Sequence, residues 1–421
     1  MNERLLQFIW QYKLWKTEIP LLSTEGKEIQ IIHNGISNQN AGPDFLGAKI
    51  KIDNTTWVGH IELHQKTSDW NKHKHSSDEN YKNIILHVVY DHDTTLSSTA
   101  FHTLELKNYI APEFLSRYEF LMNQRSFIAC EQHLNEVKNI VITQQLDRML
   151  AERLEQKVEN IELLLEQSKQ NWQEVFYIIL AKAFGLYINQ YPFEQLALQT
   201  PLSLFAKHKN NLVQLEALLL GQAGFLQNYF DEEYTQTLQT EYSYLQKLYK
   251  LQPIETKLWK FLRLRPANFP TLRLAQFASL IHQSTHLFSK LLEADSVKEI
   301  ENLLKISAST FWDTHYTLEE KSIEKKKVIG RSFIHLIIIN AIAPCQYLYG
   351  KYQQKNEYCE KAFNLLKQIP AEKNALIKKF NALGLKTKQA ADSQAILQLH
   401  KYYCEPKKCL QCSIGYAILK K

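Results

Sequence analysis

The chain has 421 residues, of which 45% are hydrophobic and 22% are charged, and these proportions are ordinary for a folded soluble protein. They exclude a disordered or collagen-like chain, and the length predicts two or three domains. The net charge of +6 is modest for this length, so the total charge alone does not require a nucleic-acid partner.

The chain is poor in the residues that interrupt regular structure. It contains only 12 Gly and 11 Pro, which predicts long, mostly helical elements. The longest apolar run, residues 333–343, is about half the length that a bilayer requires. The first residues, MNERLLQFIWQYKLW, include an acid and have amphipathic spacing, unlike a signal peptide. We therefore expect a cytoplasmic protein with no membrane partner.

The first part of the chain has the pattern of one helix followed by strands. Leu5, Phe8, Ile9 and Tyr12 have helical spacing. The stretches AKIKID and VGHIELHQK flank NTTW and predict a β-hairpin. NIILHVVYD is a continuous apolar run, which is typical of a buried central strand.

After about residue 110 the pattern becomes helical. Apolar residues at steps of three and four predict a long amphipathic helix through 146–165. The predicted fold is α+β. Residues 1–125 form a mixed α/β core with a central sheet, and residues 126–421 form a large, mostly α-helical region with a Cys-rich tail.

Two carboxylates belong to the predicted hairpin. Asp44 precedes its first strand, and Glu62 lies in the second. His64 and Lys66 follow Glu62 at steps of two, so all three project from one face of that strand. Two carboxylates on paired strands can share a divalent cation, and a nearby basic group can orient or activate water.

This order of elements resembles the core of the PD-(D/E)xK phosphodiesterase superfamily, which includes many DNA nucleases. The Pro-Asp pair at Asp44 and the acid at Glu62 match its pattern, but His64 occupies the position of the family's Lys. The resemblance implies a nuclease-like core that uses Mg²⁺ or Mn²⁺, with Asp44 and Glu62 as ligands. His64 or Lys66 would manage the water, and Glu3 is the early candidate for the acid that the family often supplies from its first helix.

The whole chain also resembles a bacterial family of proteins of unknown function. The resemblance rests on NAGPDF, GHIELHQKTSDWNKHKHSSDENY, ILHVVYD, RLRPANFPTLRLAQFA and the Cys-rich tail. It implies no particular activity.

Histidine is concentrated near the carboxylates, with eight of 15 His residues in 33–102. Imidazole suits Zn²⁺, Mn²⁺ or Fe²⁺ better than Mg²⁺, so a His/carboxylate metal hydrolase is an alternative. His64 is the first candidate because it shares a face with Glu62. His87, inside the apolar strand, is the second, because a buried polar group needs a partner. His73 and His75 lie beside Lys72 and Lys74 and are expected in a solvated loop.

Cys404, Cys409 and Cys412 form a C-x4-C-x2-C motif. Three thiols at this spacing in a cytosolic protein favour Zn²⁺ or an iron–sulfur cluster over disulfides, although free thiols are an alternative. The candidates for a fourth ligand are Cys130, Cys345, Cys359 and His400. Cys130 with the tail trio is similar to the arrangement in some nucleases of the PD-(D/E)xK kind, which fasten their core with an iron–sulfur cluster.

A basic segment with interleaved aromatic residues follows in the helical region. Cations and aromatic rings together are typical of phosphate contact and base stacking, although a solvated face over buried aromatics is an alternative. The cations are Lys257, Lys260, Arg263, Arg265 and Arg273.

The sequence therefore favours metal-dependent phosphodiester hydrolysis on nucleic acid. One alternative is a non-catalytic nucleic-acid-binding or assembly protein, and another is a His/carboxylate metal hydrolase of a small molecule.

Overall fold

A computed structural model of the chain describes residues 1–38, 40–97 and 100–420. The contacts divide it into two units, one of residues 1–145 and 399–421 and the other of residues 146–398. The sequence placed the boundary after residue 125 and the Cys-rich tail with the helical region. In the structure, residues 399–421 belong to the first unit.

The first unit is built on one mixed sheet. Its order is β1-β2-β4-β5-β6-β7, and β3 pairs with β4. The pairs up to β4–β5 are antiparallel, and β5–β6 and β6–β7 are parallel. A bridge between Ser23 and Leu104 nearly closes the sheet. The strands are β1 Leu21–Leu22, β2 Glu28–His33, β3 Ile36–Ser37, β4 Phe45–Ile52, β5 Thr55–Lys66, β6 Ile84–Asp91 and β7 His102–Glu105.

The predicted hairpin is confirmed as β4–β5. Its two-residue turn lies between Ile52 and Thr55, which are paired, and Asp53 has a φ of 50°. Asp tolerates this left-handed conformation because its short side chain can bond locally. The predicted central strand is confirmed as β6, which is buried from Ile84 to Val89.

The first unit also contains several helices, and the second unit is mostly helical. The first of these helices packs against β5 through an apolar face that includes Leu5, Phe8 and Ile9. The helices are α1 Glu3–Gln11, α2 Asp69–Lys72, α3 Pro112–Asn123, α4 Asn139–Gln167, α5 Trp172–Phe184, α6 Gln190–Gln199, α7 Leu202–His208, α8 Leu212–Gln222, α9 Glu233–Tyr249, α10 Pro270–Gln283, α11 Leu287–Glu293, α12 Val297–Leu303, α13 Arg331–Ile337, α14 Ala343–Gln353, α15 Asn356–Gln368, α16 Ala375–Ala382, α17 Ala390–Leu399 and α18 Ser413–Leu419.

The apolar run noted in the sequence belongs to a longer helix. A π-helical turn, Ile338–Ile342, joins α13 to α14, so the helix continues over Arg331–Gln353. By length and composition this helix could cross a bilayer, but 78% of its most apolar 18-residue stretch is buried within the fold. Core helices of soluble proteins also meet this criterion, so the feature is weak evidence for a membrane span.

Candidate functional site

Asp44 and Glu62 face each other across the hairpin. Phe45 pairs with Ile61, so the antiparallel register places the residue before Phe45 opposite the residue after Ile61. The backbone N–H of Asp44 donates to Glu62 Oε2 at 3.1 Å, and the backbone N–H of Leu63 donates to Asp44 Oδ2 at 2.9 Å. Each carboxylate therefore accepts a backbone hydrogen bond from the opposite strand, and this exchange fixes both side chains.

Helix α1 contributes two more side chains from successive turns. The Gln7 amide donates to Asp44 Oδ1 at 2.7 Å. The charge of Glu3 raises the pKa of both Asp44 and Glu62, so Glu3 lies within electrostatic reach of the pair. Residues four apart share a helix face, which explains how both side chains are directed towards the hairpin.

The two carboxyl groups are held in a site that disfavours their negative charge. Burial is the largest cause that raises the pKa of Glu62, and the charge of Asp44 adds to it. Burial also raises the pKa of Asp44. Two adjacent carboxylates in a low dielectric repel each other, so one retains a proton unless a cation compensates for the charge. The arrangement is therefore suited to binding a cation.

His64 places an imidazole beside this pair. Its Nε2 lies 3.6 Å from Glu62 Oε1, and its Nδ1 is hydrogen-bonded to His87 Nε2 at 2.8 Å. The expectation that His87 needs a buried partner is confirmed, and the partner is His64.

The loop after β5 brings two further histidines to the same place. His75 Nε2 lies 3.5 Å from Glu62 Oε1, and His73 Nδ1 lies 3.0 Å from His64 Nε2. His73 is exposed, as expected of a solvated loop, but His75 is buried. The expectation for His75 was therefore wrong. Its ring stacks on Tyr81 with centroids 3.9 Å apart, and this stacking removes it from solvent.

The buried imidazoles are neutral at ordinary pH. Burial is the first cause that lowers the pKa of His64 and of His87, in each case to about 3. Burial also lowers the pKa of His75. A neutral imidazole offers a lone pair to a metal, whereas an imidazolium does not.

The donor set of the site fits a divalent transition metal. The ligand atoms of His64, His73 and His75 lie within 4.8 Å of one another, and Glu62 Oε1 is adjacent to two of these imidazoles. His75 Nε2 is buried and has no hydrogen-bond partner, although such atoms are normally satisfied. His87 is hydrogen-bonded to Nδ1 of His64, the ring nitrogen other than the one near Glu62. Partners of metal-binding histidines commonly make this kind of hydrogen bond.

The side chain of Lys66 is not part of this site. It is exposed at the end of β5, and its charge acts on Asp93. Within the described residues, no hydrogen bond or ion pair joins its side chain to Asp44 or Glu62. His64 is therefore the better placed of the two basic candidates.

Lys257, Lys260, Arg263 and Arg265 of the basic segment are exposed. They lie in residues 257–265, which are mostly irregular and contain no α-helix. Lys257 forms an ion pair with Glu255. Trp259 is buried, and its indole N–H donates to the Ala223 carbonyl at 2.8 Å. The aromatic residue is therefore part of the core of the second unit.

Arg273 is buried within α10, and the expectation that it lies on a surface was wrong. Its guanidinium donates to Gln276 Oε1 at 2.8 Å and to Asn268 Oδ1 at 2.6 Å. It also lies 3.5 Å from the centroid of the Phe333 ring. Every residue of α10 from Pro270 to Leu280 is buried, so this part of the helix has no face that would place Arg273 in solvent.

Cys404, Cys409 and Cys412 share the first unit with Cys130, and all four are free thiols. Two other candidates for a fourth ligand, Cys345 and Cys359, lie in the second unit. His400 stacks on Phe127 with centroids 5.1 Å apart.

Sequence reasoning missed His75 as a site residue. The signal that could have identified it is the H-x-H spacing of His73 and His75, which resembles a chelating pair. Lys72 and Lys74 concealed this spacing, because they indicated a solvated loop.

Comparison with curated proteins and with solved structures finds no match. The family described as Protein of unknown function (DUF2851) matches residues 3–375. This match covers most of both units, so it includes the hairpin carboxylates, the histidine cluster and the basic segment. The chain therefore belongs to the DUF2851 family.

Proposed function

We propose that the chain is a metal-dependent hydrolase that cleaves phosphodiester bonds in nucleic acid. The single observation that carries this proposal is the meeting of Asp44, Glu62 and three imidazoles at one point of the first unit. Carboxylates paired across a hairpin, with an acid and an amide from the first helix, support a nuclease-like core.

Glu62, His64, His73 and His75 would hold the metal, and Asp44 would complete the site from the opposite strand. The bound cation would polarise a phosphate oxygen and stabilise the negative charge that develops during attack. Because imidazole prefers Mn²⁺, Zn²⁺ or Fe²⁺ to Mg²⁺, we expect Mn²⁺ to support the reaction better than Mg²⁺.

The protein's own groups would position the substrate and the water. His73 is the exposed member of the cluster, so substrate and water would enter from its side. The buried side, formed by Glu62, His64 and His75, excludes water and strengthens every electrostatic interaction there. Gln7 and the two backbone hydrogen bonds keep the carboxylates in place, so the site needs little reorganisation when substrate binds.

Nucleic acid as the substrate is supported by the second unit. Lys257, Lys260, Arg263 and Arg265 are exposed in one short segment, and exposed cations bind the phosphate backbone by releasing counterions. A cytoplasmic location without a membrane partner belongs to the same proposal.

One observation favours a second candidate, a metal hydrolase of a small molecule. The position of the nuclease Lys is taken by His64, and two more imidazoles accompany it, which is a donor set found in hydrolases of several substrate classes. The two candidates differ in whether polymeric substrates or only small phosphodiesters are cleaved.

The test is a cleavage assay on single- and double-stranded DNA and RNA, and on a small chromogenic phosphodiester, with Mg²⁺, Mn²⁺ or Zn²⁺. The variants are Asp44→Asn, Glu62→Gln and His73→Ala, with Asn71→Ala as the control, because Asn71 is exposed in α2, two residues before His73. We expect cleavage of nucleic acid with Mn²⁺ that each site variant loses and the control retains. Cleavage confined to the small diester would favour the second candidate. No cleavage with any metal would favour a non-catalytic binding or assembly protein.

A further inference from the structure

The four cysteines of the first unit come from segments that pack together. Cys130 precedes a 3₁₀ turn, Glu131–Glu136, which contacts α18, and α18 in turn contacts the 3₁₀ turn Cys409–Gln411. Cys404 ends a π-helical turn, His400–Cys404. Such turns are rare and often occur at functional sites.

Hydrogen bonds hold the tail in this position. Lys407 Nζ donates to the carbonyls of Met122 and Gln124 at 2.6 and 2.8 Å. The backbone N–H of Ser413 donates to Gln145 Oε1 at 2.8 Å. The segment of Cys404 to Cys412 is thereby fixed to the residues on both sides of Cys130.

The close approach of Gly415 to Cys409 supports the same arrangement. A Cβ at Gly415 would lie 2.2 Å from the Cys409 carbonyl oxygen, so only glycine allows α18 to begin so near the cysteine turn. Cys409 is buried, and Cys130, Cys404 and Cys412 are half-buried.

The four thiols lie within electrostatic reach of one another. The charges of Cys409 and Cys412 raise the pKa of Cys130, and those of Cys130, Cys409 and Cys412 raise the pKa of Cys404. Burial is the largest cause in both cases. Four thiols in one place without a disulfide are characteristic of a metal site, because a bound metal compensates for the thiolate charges.

Two kinds of centre are bound by four thiolates. A single Zn²⁺ is held tetrahedrally, with Zn–S bonds of about 2.3 Å, whereas an iron–sulfur cluster places several irons between its four thiolates. Both use all four cysteines as ligands, and they differ in whether iron and sulfide are bound.

We propose that Cys130, Cys404, Cys409 and Cys412 bind one metal centre, a single Zn²⁺ or an iron–sulfur cluster, that fastens residues 399–421 to the rest of the first unit. This site is separate in its ligands from the histidine and carboxylate centre. The inference does not depend on the proposed hydrolase function.

The test is elemental and sulfide analysis of the full chain purified without air, combined with its visible absorption before and after reduction. We expect either about one zinc per chain without sulfide, or iron with sulfide and a broad visible band that reduction bleaches. Protein without bound zinc or iron would overturn the proposal.

Two serine variants make the assignment specific. Cys404→Ser should lose most of the bound metal, whereas Cys359→Ser should keep it, because Cys359 lies in the second unit and donates to the Tyr347 carbonyl. If Cys404→Ser does not fold, the wild-type analysis still decides the question. Retention of the full metal content in Cys404→Ser would exclude this cysteine as a ligand and overturn the four-cysteine site.

Discussion

Asp44 and Glu62 are joined by a hydrogen bond from the Asp44 backbone N–H to Glu62 Oε2, 3.1 Å long. The partner bond from Leu63 to Asp44 Oδ2 makes the contact reciprocal. Because both carboxylates are fixed by backbone donors, neither can rotate away from the other to reduce their repulsion. A cation relieves that repulsion, and this requirement leads to the first prediction.

Glu62→Gln should abolish the stabilisation that a bound metal provides. The amide keeps the shape of the side chain but removes the charge between His64 and His75. Wild-type protein with Mn²⁺ at about 100 times its dissociation constant should gain about 2.7 kcal/mol in the free energy of unfolding. The measurement is the thermal midpoint with and without Mn²⁺. Glu79→Gln is the control, since Glu79 is exposed in the nearby loop. An equal Mn²⁺ shift in Glu62→Gln and wild type would contradict the site.

The metal-free protein should lose stability in acid through its buried histidines. The pKa of His64 and of His87 is lowered to about 3, whereas an unfolded His has a pKa of about 6.5. Between these values the unfolded state binds more protons, so each imidazole contributes stability that is complete above about pH 6.5 and falls by about 1.4 kcal/mol per pH unit below it.

The measurement is the free energy of unfolding by urea, with a chelator, between pH 7 and pH 4. His87→Asn should have a shallower slope than wild type by about one proton. His286→Asn is the control, because His286 is exposed and has a φ of 54° that Asn also adopts. Equal slopes in all three proteins would show that His87 does not remain neutral in the folded state.

Removing two exposed arginines should weaken nucleic-acid binding without unfolding the second unit. Arg263→Asn with Arg265→Gln removes two charges, and Asn accommodates the φ of 63° at residue 263. If both arginines contact phosphates of duplex DNA, the slope of log affinity against log salt should fall by about 1.8. The measurement is a titration at several salt concentrations. An unchanged slope would show that both arginines are only solvated surface residues.

Arg273→Ala, by contrast, should reduce stability. The change removes the contact with Phe333 and the two hydrogen bonds to Asn268 and Gln276, and it leaves buried acceptors without their donor. We expect a loss of about 2–4 kcal/mol in the free energy of unfolding, measured by urea denaturation. Arg265→Ala, an exposed site, is the control. A loss below about 0.5 kcal/mol, the usual range of surface changes, would contradict the buried role.

The hairpin and its carboxylates could be predicted because they depend on local pattern. A period of two and a short polar turn define β4–β5, and the register then places Asp44 opposite Glu62. His75 could not be assigned in this way, because its burial requires Trp70 and Tyr81 to close around the ring. Local sequence indicated only the polarity of the loop.

The difference between local pattern and contacts of distant residues also explains why the positions of Arg273 and of the tail were not predicted. Arg273 lies in a basic stretch, but the ring that covers it belongs to Phe333, 60 positions later. The tail was assigned to the helical region because it follows that region in sequence. Its contacts are with residues near Met122, Gln124 and Gln145, which only the folded chain reveals.

The return of residues 399–421 to the first unit has a consequence for biosynthesis. The two parts of the first unit are separated by about 250 residues in the sequence. At a translation rate of about 5–20 residues per second, the ribosome adds this intervening stretch in roughly 10 to 50 seconds. Throughout that interval the nascent first unit exposes the apolar surface that α18 later covers, including Phe8 of α1, which packs beside Tyr416. The first unit to emerge is thus the last to be completed, and chaperones would have this window in which to bind it.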